Sequence, residues 1–289
     1  MQRDGRASAV ALVGLGLLCQ EVGASFGVLM FGLTNPVAVV AFRLVFAAVI
    51  LLIVTRPRVR SFTGHQWCGI VLLGVVLTTM NVAFYLALER LALGVTVTIE
   101  VLGPLVLAVV MSKKKSAWLW AGLAFVGVAA LGGGGWETLD PVGVLFALLA
   151  GASWAGYILA AARVGRDVPG VSGLALAMTV GAVIVLPAAL VIDAPAFINP
   201  TIILLGLGVA VLSSVIPYTA ELLALRKISE STFSVLMSLG PATASIVGFL
   251  VLGQHLTVLE IAGIVLVIAA SIGAVLAAGR TAPPVEPIA

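Results

Sequence analysis

The sequence predicts an all-α membrane protein: ten transmembrane helices arranged as two inverted five-helix repeats. Three observations lead there. Of 289 residues, 62% are hydrophobic and 9% charged, against roughly half and about 25% in a soluble domain, and the mean hydropathy is +1.25. With the 32 glycines the apolar chain suffices for ten spans of ~20 residues, more than one soluble core can hide. Second, basic residues fall in alternate breaks. Third, a short pattern recurs half a chain later. The composition excludes a soluble enzyme, a disulfide-stapled secreted domain and a disordered chain.

Taken in order, the apolar stretches run roughly over 8–31, 36–55, 66–88, 92–111, 116–134, 141–162, 171–192, 201–224, 231–252 and 258–278. Short polar or Pro/Gly breaks separate them: Thr34-Asn35-Pro36, Arg56-Pro57-Arg58, Lys113 to Lys115, Asp140-Pro141, Asp167 to Gly170 and Asn199-Pro200. The start, with Arg3 and Arg6 before an apolar run, imitates a signal peptide. The run continues to about Phe31, too long for a signal core, and reads as the first span. With the N-terminus inside, the cytoplasmic segments carry Arg3, Arg6, Arg56, Arg58, Arg60, Lys113 to Lys115, Arg163, Arg166, Arg226, Lys227 and Arg280, about 13 of the 15 basic residues. Outer loops keep Arg90 beside Glu89, Glu137, Asp140 and Asp193. Both termini are therefore expected in the cytoplasm, and Pro283 to Pro287 belong to a disordered tail, 281–289.

Leu86 to Arg90 followed by Leu102-Gly103-Pro104 has a counterpart in Leu223 to Lys227 followed by Leu239-Gly240-Pro241, an offset of about 137 residues. An odd number of spans per half turns the second half over in the membrane. The expected halves are 1–137 and 138–280, an organisation found in secondary transporters with a solute site near the midplane.

An ionisable side chain inside the bilayer costs about 2.5–3.5 kcal/mol on insertion scales, so it faces the interior or water. Four such residues fall within spans: Glu21, Arg43, Glu100 and Glu221. Glu21, about 13 residues into its span and one turn before Ser25, lies near mid-depth, as does Glu100, ~12 Å from the outer end of its own. Glu100 suits a substrate ammonium or a proton. Arg43 either pairs with Glu21 or Glu100 or meets substrate itself, and Glu221 is either functional or a partner of Arg226 one turn on. Helical spacing adds Asn81 with Tyr85, Trp154 with Tyr157, and Tyr218 with Glu221, each pair on one helix face. Such aromatic and polar groups suit the wall of a solute cavity, although core or interfacial packing is the commoner fate of membrane Trp and Tyr.

Pro104, Pro217 and Pro241 fall inside spans, as hinges or as static kinks. No metal or cofactor is expected: His65 and His255 stand alone, and Cys19 and Cys68 sit in apolar runs. Gly132 to Gly135 lacks the Lys-Ser/Thr of a phosphate loop. The net charge of +3 reads as cytoplasmic loops, not as nucleic-acid binding.

The stretches Gln20 to Ser25, Met80 to Leu86, Leu93 to Glu100, Gly151 to Leu159, Leu212 to Tyr218 and Thr232 to Ser238 resemble, in order and spacing, the threonine/homoserine exporter branch of the drug/metabolite transporter superfamily, of EamA type. The resemblance runs from about residue 10 to 278. It implies a bacterial inner-membrane exporter of small amino acids or other metabolites, exchanging them for protons; apart from the resemblance, the expected unit is a monomer or homodimer. It also implies a central cavity lined by Gln20, Asn81, Tyr85, Glu100, Trp154, Tyr157, Tyr218 and Met237. Two departures stand out: Gly253-Gln254 where relatives commonly have Gly-Glu, and Glu21 where the exporter branch has a small polar residue.

The leading expectation is thus an amino-acid exporter working by alternating access, with Glu100, Glu21 and Arg43 as charge-coupling candidates. A different cargo (an aromatic amino acid, a nucleobase or a cationic compound) is the alternative. A membrane enzyme is a remote one, because the short outer loops hold no histidine. A regulatory or scaffold protein is the other remote reading.

Overall fold

The structure, a computed structural model, describes residues 2–57, 59, 62–111, 117–131, 139–168, 171–225 and 236–278. Lys113 to Lys115, Glu137, Arg226, Lys227 and the 281–289 tail lie outside them, as does the side chain of Glu221.

Several helix starts are written in the breaks. Asn35-Pro36, Asp140-Pro141 and Asn199-Pro200 each place an acceptor side chain before a proline whose missing N–H is harmless in a first turn. Accordingly α2 is Pro36–Thr55, α7 is Pro141–Asp167 and α9 is Pro200–Ala210. Asn35 Oδ1 accepts from the Ala38 N–H at 3.0 Å, Asp140 Oδ1 from Val142 at 2.8 Å, and Asn199 Oδ1 from Thr201 at 3.0 Å. A reciprocal Thr63–Gln66 capping box opens α3, Gly64–Leu88. The other helices are α1 (Gln2–Leu29), α4 (Leu93–Glu100), α5 (Leu102–Met111), α6 (Ala117–Leu131), α8 (Ser172–Asp193), α10 (Ile216–Leu225), α11 (Gly240–Leu252) and α12 (Val258–Ala278).

Among the described residues, eight helical segments are long and apolar enough to cross a membrane. Two shorter apolar helices, Trp118–Leu131 and Gly240–Leu252, stand where the fifth and ninth spans are expected. Val54, Phe125 and Val191 are among the large apolar side chains on the outer surface, where acyl chains solvate them.

The in-span prolines sit at interruptions. The expected fourth span is two half-helices, α4 and α5, parted at Val101; Pro104 has no N–H to give the Glu100 carbonyl four residues back. In the eighth span Pro217 likewise gives nothing to Ser213, and Val211–Val215 between α9 and α10 form a π turn. Pro241 lies in the first turn of α11. Pro187, not singled out in the sequence, sits inside α8, which continues through it.

Packing follows a regular scheme. Helix α2 lies against α8, α4 against α11, and α6 against α12; α3 lies along α7, and α1 along α10 and the π turn. The core is centred on α2, with Val39, Val40, Ala41 and Leu44 packed against residues of α8 such as Ala175 and Met178. Several contacts among the described residues are close enough to demand glycine, two of them against a neighbouring glycine's carbonyl. A Cβ on Gly103 would stand 1.8 Å from the Gly151 carbonyl oxygen, and one on Gly263 would stand 2.5 Å from that of Gly127. The first brings the α4–α5 break onto α7.

Helices α3 and α7 are tied at both ends. Arg90 Nη1 lies 3.1 Å from Asp140 Oδ2 at one end. At the other, His65 Nε2 lies 3.5 Å from Asp167 Oδ2 and 3.2 Å from Arg163 Nη2. The backbone N–H of Gly143 and the Arg90 side chain hold the Asp140 carboxyl below the usual carboxylate range.

Candidate functional site

A cavity of about 20 Å³ opens where α1, α3, the α4–α5 break, α7 and the start of α11 meet. Its polar wall is Gln20, Glu21 and Glu100; Trp154 and Met237 face them with Leu17, Phe84, Val97 and Val101; Gly240 and Pro241 close one side. Glu21 is 2% exposed and Glu100 9%. They come from different helices yet lie within electrostatic reach of one another, and Arg43 lies within reach of both. Among the described residues lining the cavity none is cationic.

Local structure explains how these groups arrive there. Glu100 ends α4 at the break where its carbonyl lacks an N–H from Pro104, while Val101 N–H to the Val97 carbonyl at 3.0 Å and Leu105 N–H to the Val101 carbonyl at 3.2 Å carry the helix onward. Met237, Gly240 and Pro241 surround the start of α11, whose N-cap residue Leu239 supplies no side-chain acceptor. Ser25 Oγ donates to the Glu21 carbonyl at 3.0 Å, one turn back, and so does not reach the Glu21 carboxylate with that bond.

Arg43, 6% exposed, is not on the cavity wall. Neither sequence-based pairing occurs: among the described residues no ion pair joins it to Glu21 or Glu100. Instead Nε donates to Ser214 Oγ at 3.0 Å, and Nη2 donates to the Ser213 carbonyl at 2.8 Å, both in the π turn. Its Cζ stands 5.9 Å from the Tyr85 ring centroid, within cation–π range.

The remaining sequence candidates sit behind or beside the wall. Asn81 is buried and donates Nδ2 to the Leu77 carbonyl at 2.8 Å. Tyr85 is fully buried, edge-on to Phe31 and Phe84; its hydroxyl lies close to Ser213 and Arg43 but has no hydrogen bond of ordinary geometry. Tyr157 packs between two core clusters, and Tyr218 against the larger of them. The sequence reading missed Ser213, Ser214 and Phe84. Ser213 had a signal, being four residues before Pro217.

Gln254 also finds a role at this site's edge. Ala92 caps α4 without a side-chain acceptor, and Gln254 Oε1 accepts the Leu93 N–H at 2.9 Å in its place. Gly253, at φ +64, turns the chain out of α11 to make this possible. The amide keeps the acceptor that a glutamate would bring and omits its charge. Among the described residues no group of three or more His, Cys, Asp or Glu is placed to hold a metal.

Comparison with known proteins agrees with this architecture. Residues 141–276 match the EamA-like transporter family. The threonine/homoserine exporter RhtA of Salmonella typhimurium (strain SL1344) is 35% identical over 262 residues, 90% of this chain and 88% of that protein. RhtA of Escherichia coli (strain K12) is 35% identical over 256 residues, covering 88% and 86%. The uncharacterized transporter YwfM of Bacillus subtilis (strain 168) is 26% identical over 232 residues, 77% and 78% of the two chains. A crystal structure at 16% identity superposes with a TM-score of 0.62 over 95% of this chain and 99% of its own, which shows a shared fold. With a third of its residues shared with these exporters along nearly its whole length, the chain belongs to the EamA-like transporter family of membrane proteins, in the branch of the threonine/homoserine exporters.

Proposed function

We propose that this protein exports small amino acids of the threonine/homoserine kind across a bacterial cytoplasmic membrane, by alternating access and in exchange for protons. The observation that carries the reading is the cavity: two buried carboxylates and Gln20 with Trp154 and Met237, where the α4–α5 break meets the start of α11. The relatives' names supply the solute class.

The charge count supplies the coupling. Glu21, Glu100 and Arg43 together leave one negative charge in excess when all are ionised, and either a proton or a substrate ammonium neutralises it. The start of α11, with Gly240 and Pro241 at the cavity, offers the positive end of a helix dipole to a substrate carboxylate. A cavity of about 20 Å³ has room for roughly one water. An amino acid enters and leaves only when the surrounding helices part, first on one side and then on the other.

Two inverted halves, 1–137 and 138–280, give that motion its symmetry. The helix pairs support this division: exchanging each span for the one five places along maps second-with-seventh, fourth-with-ninth and fifth-with-tenth onto themselves, and third-with-sixth onto eighth-with-first. The family match over 141–276 falls within the second half. Pro104 and Pro241, at matching positions, are the hinges, with Pro217 a third. Both termini face the cytoplasm, and the unit is a monomer or homodimer.

A cationic metabolite is the second reading, favoured by the absence of a cationic side chain among the described lining residues. Counterflow in proteoliposomes separates the two. Preloaded threonine or homoserine should drive uptake of its labelled form, while aromatic amino acids, nucleobases and lipophilic cations should not. Counterflow with lipophilic cations alone selects the second reading, and counterflow with none of the panel rejects both.

A further inference from the structure

Glu21 and Arg43 are buried within electrostatic reach of each other and do not pair. Glu21 Oε2 has no hydrogen-bond partner, while Arg43 spends two donors on a hydroxyl and a carbonyl. A charge-assisted bond to a carboxylate is ordinarily the stronger one, so the alternative site must be well prepared. Pro217 prepares it. Lacking an N–H, it leaves the Ser213 carbonyl without its ordinary α-helical partner. The π turn over Val211–Val215 places that carbonyl and Ser214 Oγ together for the guanidinium, and the Tyr85 ring flanks Arg43 as well.

The turn also adjoins the helix that bears Glu21. Ser213 Oγ donates to the Gln20 carbonyl at 3.4 Å, and Gly23 packs on the turn so closely that a Cβ there would stand 2.3 Å from Ser213 Oγ. The turn that holds the arginine thus touches α1 at Gln20 and Gly23, the residues that flank the Glu21–Val22 pair in the chain.

We propose that the Ser213–Ser214 π turn holds Arg43 away from Glu21, keeping that carboxylate available to an ammonium group. The proposal rests on reading the cavity as the solute site. Released from the turn, Arg43 folds onto Glu21 as an internal ion pair that an incoming ammonium must displace. Ser214 is a positioning residue, acting through Arg43 without touching the solute. Glu100 and Gln20 continue to face the cavity in either arrangement, so binding is weakened and not abolished.

The test uses the purified full-length chain in detergent, with affinity read from ligand-induced shifts in Tm. The probes are L-threonine, its methyl ester (an ammonium without a carboxylate) and N-acetyl-L-threonine (a carboxylate without an ammonium). The unaltered chain should bind the first two and not the third. Ser214→Ala removes the Nε acceptor, and Pro217→Ala restores an N–H to the Ser213 carbonyl. Each should weaken the ester about tenfold, the scale of one hydrogen bond to a charged group. Ser214→Thr keeps the hydroxyl and should keep the affinity, so the Ala/Thr contrast decides even where other variants fold poorly. In an Arg43→Gln background Ser214→Ala should have no further effect, which a merely structural role does not predict. Unchanged ester affinity in Ser214→Ala and Pro217→Ala overturns the proposal, as does a loss that persists in the Arg43→Gln background. If none of the three probes binds the unaltered chain, the reading of the cavity fails first.

Discussion

Replacing Glu100 by Gln takes one charge from the cavity and leaves its shape and hydrogen-bonding capacity. Glu100 faces the cavity near Glu21, and Arg43 is engaged by Ser213 and Ser214. A bound ammonium therefore loses one charge-assisted hydrogen bond, about 1.5–3 kcal/mol, which corresponds to roughly a ten- to hundredfold weaker affinity. Folding should be little affected, because no ion pair among the described residues depends on Glu100. The assay is transport into proteoliposomes with and without an imposed pH gradient, beside the folded yield and Tm of the same preparation. The Gln variant should fold as the parent does, bind substrate ten- to a hundredfold more weakly by this estimate, and lose its response to the gradient. Transport driven normally by the gradient would refute the coupling role. A low folded yield recovered by also neutralising Arg43 would show a structural ion pair instead.

Trp154→Ala, on the cavity wall, should lower transport per folded molecule with a modest loss of stability. Tyr157→Ala, between two core clusters, should mainly lower the Tm; the reverse pattern would exchange their roles. Asp140 is held below the usual carboxylate range by the Gly143 N–H and Arg90, so its contribution is present above about pH 4 and lost as the pH falls through its folded-state pKa. Asp140→Asn keeps an acceptor for the α7 cap but resembles the protonated acid, so it should lower the Tm slightly at neutral pH, leave it nearly unchanged in acid, and thereby flatten the acid-side fall. For topology, cysteines at positions 56 and 114 should resist an impermeant reagent added outside intact cells while one at 138 reacts; labelling at 114 and not at 138 would invert the orientation.

What the sequence revealed depended on chemistry that acts locally. Asn35-Pro36, Asp140-Pro141 and Asn199-Pro200 each announce a helix start because cap and proline act within one turn. Glu21 and Glu100 stand out because charge is costly in hydrocarbon, and the structure brings both to one cavity. Which face of a span looks inward is another matter. A helix in lipid is apolar all round, so the usual periodicity carries little signal. Asn81 and Tyr85 share a face as their spacing demands, but that face turns toward α1, Arg43 and the core, not onto the wall. Phe84, next to Tyr85, lines the cavity instead. The absence of a donor at Pro217 is readable from sequence. That Arg43, 171 residues from Ser214 in the chain, fills the gap emerges only when α2 packs against the π turn. The same holds for Gln254, which caps α4 from 161 residues away.

The central claim is that the cavity between Glu21, Glu100, Trp154 and Met237 receives the exported solute. Its most direct test is alkylation of a single cysteine at Met237→Cys, in a chain whose Cys19 and Cys68 are replaced, by a membrane-permeant maleimide. Leu250→Cys, on the outer surface of α11, serves as the control. Saturating threonine or homoserine should slow alkylation at 237 severalfold and leave 250 unchanged. Equal rates at 237 with and without a solute that the same preparation transports would contradict the account.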